Sequence, residues 1–145
     1  MTDKVSIEKV NKAHYEQVVN LLHKNMSPFH PNSDQIDLIW RHYIAQENVR
    51  AIVIVDQNTV IGFGSISIEI KIRGGKMGHI EDIVIDSSRQ GKGYGKLLIR
   101  SLNKIAEIEK CYKVSLQCQK HNVAFYEKCG FVNSGFSMQL FFKIN

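Results

Sequence analysis

The chain has 145 residues, 43% of them apolar, and 19 Lys and Arg against 14 Asp and Glu leave a formal charge of +5. That length holds one hydrophobic core and leaves little room for a second, so residues 1–145 read as a single domain. No window approaches the roughly 18 consecutive apolar residues of a membrane helix, and residues 1–10 are charged rather than shaped like a signal peptide, which points to the cytoplasm.

Residues 6–10 alternate as a short edge strand. Over residues 13–24, Tyr15, Val18, Val19 and Leu22 keep a helical spacing, and Pro28 and Pro31 then force a loop. Ser33 or Asp34 is expected to cap a second helix carrying Ile36, Ile39, Trp40, Tyr43 and Ile44 on one face. Residues 50–55 and 60–70 are Ile- and Val-rich around the turn at residues 56–59, a hairpin pattern. A basic turn with Gly74 and Gly75 leads into a strand over residues 79–86. A long helix follows from Tyr94 to about Glu109, with Leu97, Leu98, Leu102, Ile105 and Ile108 inward. Residues 113–118 read as a strand, residues 122–129 as a short helix stopped by Gly130, and residues 137–143 as a final strand. The hairpins require antiparallel pairing, while the strand–helix–strand passage from Ile80 to Leu116 requires a parallel pair. The expected fold is therefore α/β, a mixed, largely antiparallel sheet flanked by helices.

Cys111, Cys118 and Cys129 show neither CxxC spacing nor a histidine pair, so they read as reduced, mostly buried thiols and no metal is expected. The basic residues are scattered, with no aromatic-interleaved tract, so neither nucleic acid nor a membrane is an expected partner.

The chemistry concentrates between Gly78 and Lys96. An apolar strand delivers Glu81 and Asp82, and a turn containing Gly91, Gly93 and Gly95 opens the long helix. Backbone N–H groups and a helix start converging there suit an anion such as a pyrophosphate. The spacing is not that of a Walker loop, which needs Gly where Gln90 stands and Ser or Thr at Leu97. Nor is it the GxGxxG of dinucleotide folds. In a regular strand Glu81 and Asp82 point to opposite faces unless a bulge intervenes.

Gln90-x-x-Gly93-x-Gly95 resembles the acyl-CoA pyrophosphate loop of the GNAT superfamily of N-acetyltransferases. Asn122 with Phe125, Tyr126, Gly130 and Phe131 resembles the ending of the same superfamily. The runs Gly78 to Val84, Gln90 to Leu98, Cys111 to Val114 and Phe125 to Phe131 together resemble the glucosamine 6-phosphate N-acetyltransferase family, strongly from Gly78 to Phe131 and weakly before it.

The resemblance implies a GNAT-type sheet with its parallel pair at the acetyl-CoA site, and transfer of acetyl from acetyl-CoA to the amine of glucosamine 6-phosphate on the UDP-N-acetylglucosamine route. It implies cofactor contacts from Ile83, Val84, Ile85, Gln90, Gly91, Lys92, Gly93, Tyr94, Gly95, Lys96, Asn122 and Tyr126. Acceptor contacts would come from Lys71, Arg73, Glu81, Asp82, Ile83 and Gln117, and the catalytic groups would be Glu81, Asp82 and Tyr126, the last as acid toward the thiolate. Which carboxylate is the base stays open, and His79 is expected to pack locally.

The chain departs from that family twice. Gln117 stands where an aspartate is expected, and Phe141 falls in an apolar run where an arginine would grip the sugar phosphate, which leaves Lys71, Arg73, Lys76 and Lys143 as substitute cations. The resemblance also implies a homodimer, and the apolar tail around residues 136–142 suits a partner surface. Two other functions fit the same residues: acetylation of a polyamine, another small amine or a protein lysine, and non-catalytic acyl-CoA binding.

Overall fold

The computed structural model describes residues 4–144; Met1, Thr2 and Asp3, the start of the charged N-terminal stretch, lie outside the described residues. The elements run β1 (Val5–Lys9), α1 (Lys12–Asn25), α2 (Ile36–Ile44), β2 (Val49–Asp56), β3 (Thr59–Ile70), β4 (Lys76–Ile85), α3 (Tyr94–Ile108), β5 (Lys113–Leu116) and α4 (Val123–Lys128). The five strands form one sheet in the order β1-β2-β3-β4-β5, antiparallel except for the parallel pair β4–β5. The β4–α3–β5 passage is the crossover that a parallel pair needs.

In place of the one core expected from the length, two buried clusters lie on opposite faces of this sheet. Val53 and Val55 of β2 join Phe63, Val18, Leu21 and Trp40 under α1 and α2. Their neighbours Ile52 and Ile54 point the other way and join Ile66, Ile80, Leu98, Ile99 and Leu102 under α3. Because both faces are covered, β2 reads as an unbroken apolar run rather than an alternation. Leu98, Ile99 and Leu102 are fully buried, each worth about 1.5–3 kcal/mol in removal from water. The β2–β3 hairpin turns on Gln57 and Asn58, both with positive φ (47° and 71°), the two-residue geometry that matches strand twist.

At the start of α1, Asn11 and His14 cap each other reciprocally, side chain to backbone at 3.2 Å in both directions. The cap expected from Ser33 or Asp34 does not form. Residues 33–35 are a turn closed by the Gln35 N–H on the Asn32 carbonyl at 2.9 Å, so α2 begins at Ile36 without a side-chain cap. Packing holds that helix instead, through Trp40 against Tyr15 at a ring separation of 5.3 Å.

Three further expectations are corrected. Residues 137–143 form no strand: β5 is only four residues long, and the tail pairs with no strand among the described residues, leaving Phe136, Met138, Leu140, Phe141, Phe142 and Ile144 exposed. Ile108, the last residue of α3, is 69% exposed, while Ile99 and Ala106 join the buried face. The cysteines are not buried thiols: Cys118 is exposed, and Cys111 and Cys129 are half-buried.

Candidate active site

β4 and β5 pair over only Met77–Ile80 and Lys113–Leu116. β4 then runs on to Ile85 while β5 has ended, so the edge of its last residues faces an opening. A cleft of about 520 Å³ lies there, lined by Ile80, Glu81, Asp82 and Ile83 from β4, by residues 116–119 after β5, and by Asn122 and Tyr126. Met26 closes it from the end of α1, and Ser137 and Gln139 from the tail.

A bulge allows adjacent carboxylates to share this cleft. The β3–β4 register slips between Phe63 and Ser65, and Asp82 adopts a left-handed φ of 56°. The strict alternation of a strand is broken at that point, and Glu81 and Asp82 both line the opening. Burial, with the Glu81 charge adding to it, holds the Asp82 carboxyl above the usual carboxylate range. The His79 Nε2 lies 3.0 Å from Glu81 Oε1, while its Nδ1 lies 3.2 Å from Ser115 Oγ, so His79 ties β4 to β5 and steadies Glu81.

Opposite the carboxylates stands Tyr126. Its ring packs edge-on against Phe125 and Phe131, with centroids 5.0 and 6.0 Å away. Burial pushes its phenol above the ordinary tyrosine value, and the neighbouring Cys118 and Cys129 thiols push the same way. It is therefore a protonated donor at neutral pH.

The glycine loop leads from the end of β4 into α3. Gly91 and Gly93 take φ of 78° and 86°, conformations that a side chain would strain, and Gly93 caps α3 without a side-chain bond. No side chain hydrogen-bonds as a cap to the start of α3, and its first turn carries no acidic residue, an arrangement that suits an anion. Gln90 folds back on the end of β4, its Nε2 3.5 Å from the Ile85 carbonyl. A Cβ on Gly95 would stand 3.2 Å from Phe125 Cζ, so the missing side chain lets α4 rest on the first turn of α3.

Of the residues singled out by sequence, the cleft thus gathers Glu81, Asp82, Ile83, Gln117, Asn122 and Tyr126. Val84 and Tyr94 are buried, so their side chains offer little surface to a ligand. Lys96 faces a separate groove of about 670 Å³ between α3 and α4, beside Arg100 and Lys128. Lys71 and Arg73 sit in the turn at the far end of β3, where Lys71 is engaged with Glu69 at 3.0 Å, and Lys76 pairs with Glu109 at 3.7 Å. Sequence reasoning did not find Met26, Cys118, Gln119, Ser137 or Gln139 as lining groups. Their only signal was position beside a strand end or in the tail.

The family model described as the acetyltransferase (GNAT) family matches residues 15–131. A glucosamine 6-phosphate N-acetyltransferase of Candida albicans is 47% identical over 81 residues, 54% of this chain and 54% of that protein. One from Dictyostelium discoideum is 45% identical over 89 residues, 60% of this chain and 57% of that protein. The chain's matches span about half the length of these curated relatives. The crystal structure of glucosamine-6-phosphate N-acetyltransferase from Arabidopsis thaliana superposes with a TM-score of 0.87 at 29% identity, covering 97% of this chain and 99% of that one. A Trypanosoma brucei acetyltransferase also gives 0.87, at 27% identity over 96% of this chain and all of that one. With a cleft of this construction and a family match over most of its length, the chain belongs to the GNAT acetyltransferase family.

Proposed function

We propose that this protein transfers an acetyl group from acetyl-CoA to the amine of glucosamine 6-phosphate by direct attack in a ternary complex, yielding the N-acetyl sugar phosphate and CoA. The observation that carries this reading is the opening between β4 and β5, where Glu81, Asp82 and Tyr126 line one cleft; the glycine loop that opens α3 follows the end of β4. The pyrophosphate fits the N–H groups of the glycine loop, with Gln90 and Lys92 at its margin. The pantetheine arm fits the unpaired edge of Ile83, Val84 and Ile85, and passes Asn122.

The amine nitrogen attacks the thioester carbonyl carbon, and backbone N–H near Ile83 stabilises the oxyanion that forms. Asp82 takes the proton released by the amine, a role that its raised pKa suits, while Glu81, steadied by His79, orients the sugar. As the C–S bond breaks, the thiolate takes the Tyr126 proton. Gln117 accepts a hydrogen bond from the acceptor without adding charge.

The residues lining the cleft include two carboxylates and no lysine or arginine. A sugar phosphate therefore needs a cation from beyond it, from Lys71, Arg73 or Lys143. A second copy is the economical source. In the tail, Ser137 and Gln139 face the cleft while Phe136, Met138 and Leu140 are exposed, a strand-like alternation with nothing covering its apolar side. We read the protein as a single-domain cytoplasmic homodimer; no described helix is long and apolar enough to cross a membrane. Sedimentation at working concentration is expected to show two chains, and a monomer overturns the dimer.

The lack of a cation also favours a second reading, acetylation of an unphosphorylated amine. Steady-state assays across glucosamine 6-phosphate, glucosamine, polyamines and a lysine peptide decide between them. Preference for the sugar phosphate is expected, and equal or better rates with the others overturn it.

A further inference from the structure

Ser65 is a buried polar residue in the middle of β3, 8% exposed, on a strand otherwise filled by Val, Ile, Phe and Gly at that depth. A hydroxyl there is costly unless it is bonded. It donates to the Glu81 carbonyl at 3.2 Å. That carbonyl belongs to the peptide joining Glu81 to Asp82, so the bond acts on the unit whose rotation sets the left-handed φ of Asp82.

Tyr43 reaches the same place from α2. Its ring packs on the core under α1 and α2, and its phenol lies close enough to the Ser65 hydroxyl and to the Asp82 and Glu81 charges to feel all three. Across the bulge, Gly64 leaves the space that the displaced strand occupies, since a Cβ on it would meet Ile83 Cδ1 at 2.6 Å. Helix α2, strand β3 and the bulge in β4 are thus joined through two hydroxyl groups in the interior, on the side of the sheet away from α3.

We propose that Ser65, backed by Tyr43, is a positioning residue for acetyl transfer, holding the Glu81–Asp82 peptide in the bulged conformation that presents both carboxylates to one cleft. A left-handed aspartate is an uncommon conformation that persists where the surroundings over-determine it. The Ser65 bond supplies that determination from behind the strand, and Tyr43 stands beside the serine. Neither residue touches the acceptor; both act through Asp82. The inference rests on the acetyltransferase reading for its catalytic consequence, but its structural content is independent of any substrate.

The test compares Ser65→Ala, Ser65→Thr and Tyr43→Phe with the wild type. With the best acceptor of the amine panel, Ser65→Ala is expected to lower kcat by about 10- to 100-fold, as misplacement of a reacting group does, with the KM for acetyl-CoA within about two-fold. Tyr43→Phe is expected to lose about five-fold, the worth of one neutral hydrogen bond, and Ser65→Thr to recover most of the Ser65→Ala loss. Amide NMR reads the bulge without turnover: Ser65→Ala should move the resonances of Glu81, Asp82 and Ile83 and leave those of residues 98–106 in place. Unmoved Asp82 resonances overturn the proposal, whatever the assay shows. Moved resonances with unchanged kcat also overturn it, as does a loss confined to the KM for acetyl-CoA.

Discussion

At the glycine loop the groups proposed to meet a ligand are backbone N–H groups, ordered by two left-handed glycines and the start of α3. At the carboxylates they are side chains, presented by a bulge with a buried serine bonded behind it. Backbone donors arrive with the fold and tolerate many sequences around them. Side-chain sites depend on each supporting contact, and both departures expected from the sequence resemblance, Gln117 and Phe141, belong to the acceptor end. The two ends should therefore fail separately.

Asp82→Asn is the sharpest way to break that separation. Turnover should fall by about 100-fold or more, the usual scale for a lost general base, while calorimetry should find acetyl-CoA affinity within about two-fold of wild type. A matched loss of binding would mean that the two ends are one site.

Tyr126→Phe should cost about 10- to 100-fold in turnover, at or below the low end of acid catalysis because a thiolate departs readily. Burial holds the phenol above its ordinary value, so the wild-type rate should decline only in strongly alkaline solution, and the variant should lack that decline. Gly93→Val works at the opposite end. Its φ of 86° strains any branched residue, and a penalty of roughly 1–2 kcal/mol should weaken acetyl-CoA binding about 10-fold while the KM for the amine holds.

The smallest effect is on stability. Asp82 has a folded pKa above its unfolded value, so the folded state binds the extra proton and stability falls as pH rises between those values. Asp82→Asn removes the charge that the fold disfavours. It should melt higher at neutral pH and lose the advantage below the ordinary carboxylate range, where both side chains are neutral. Because the carboxyl opens onto the cleft, screening limits the gain to roughly 1–2 °C. A lower melting point at neutral pH would show that the Asp82 charge is favoured by the fold.

Periodicity was enough for the helices and the hairpin, since Leu98 and Leu102 or Val53 and Val55 repeat with the element that buries them. It failed at Ser33 and Asp34, where good capping residues stand one turn before the helix, and packing of Trp40 decided the start. It failed again over residues 137–143, which alternate like a strand but pair with none of the described strands. For the site, the glycine loop and the Glu81–Asp82 pair were visible because short motifs carry them. Ser65 and Tyr43 were not, because a serine in one strand and a tyrosine in a distant helix carry no shared spacing. Only the slipped register between β3 and β4 brings them under the same peptide.

The contact between Gly95 and Phe125 has a metric consequence. Because α4 rests on the first turn of α3, and Tyr126 is the next residue after Phe125, the span from the helix start to the phenol is set by a ring seated on a glycine rather than by a loop. In the proposed reaction that span gauges the donor: a carrier whose anionic end and thioester match it would engage both, whereas acetyl-pantetheine, cut short before the pyrophosphate, would reach the phenol with nothing seated at the helix.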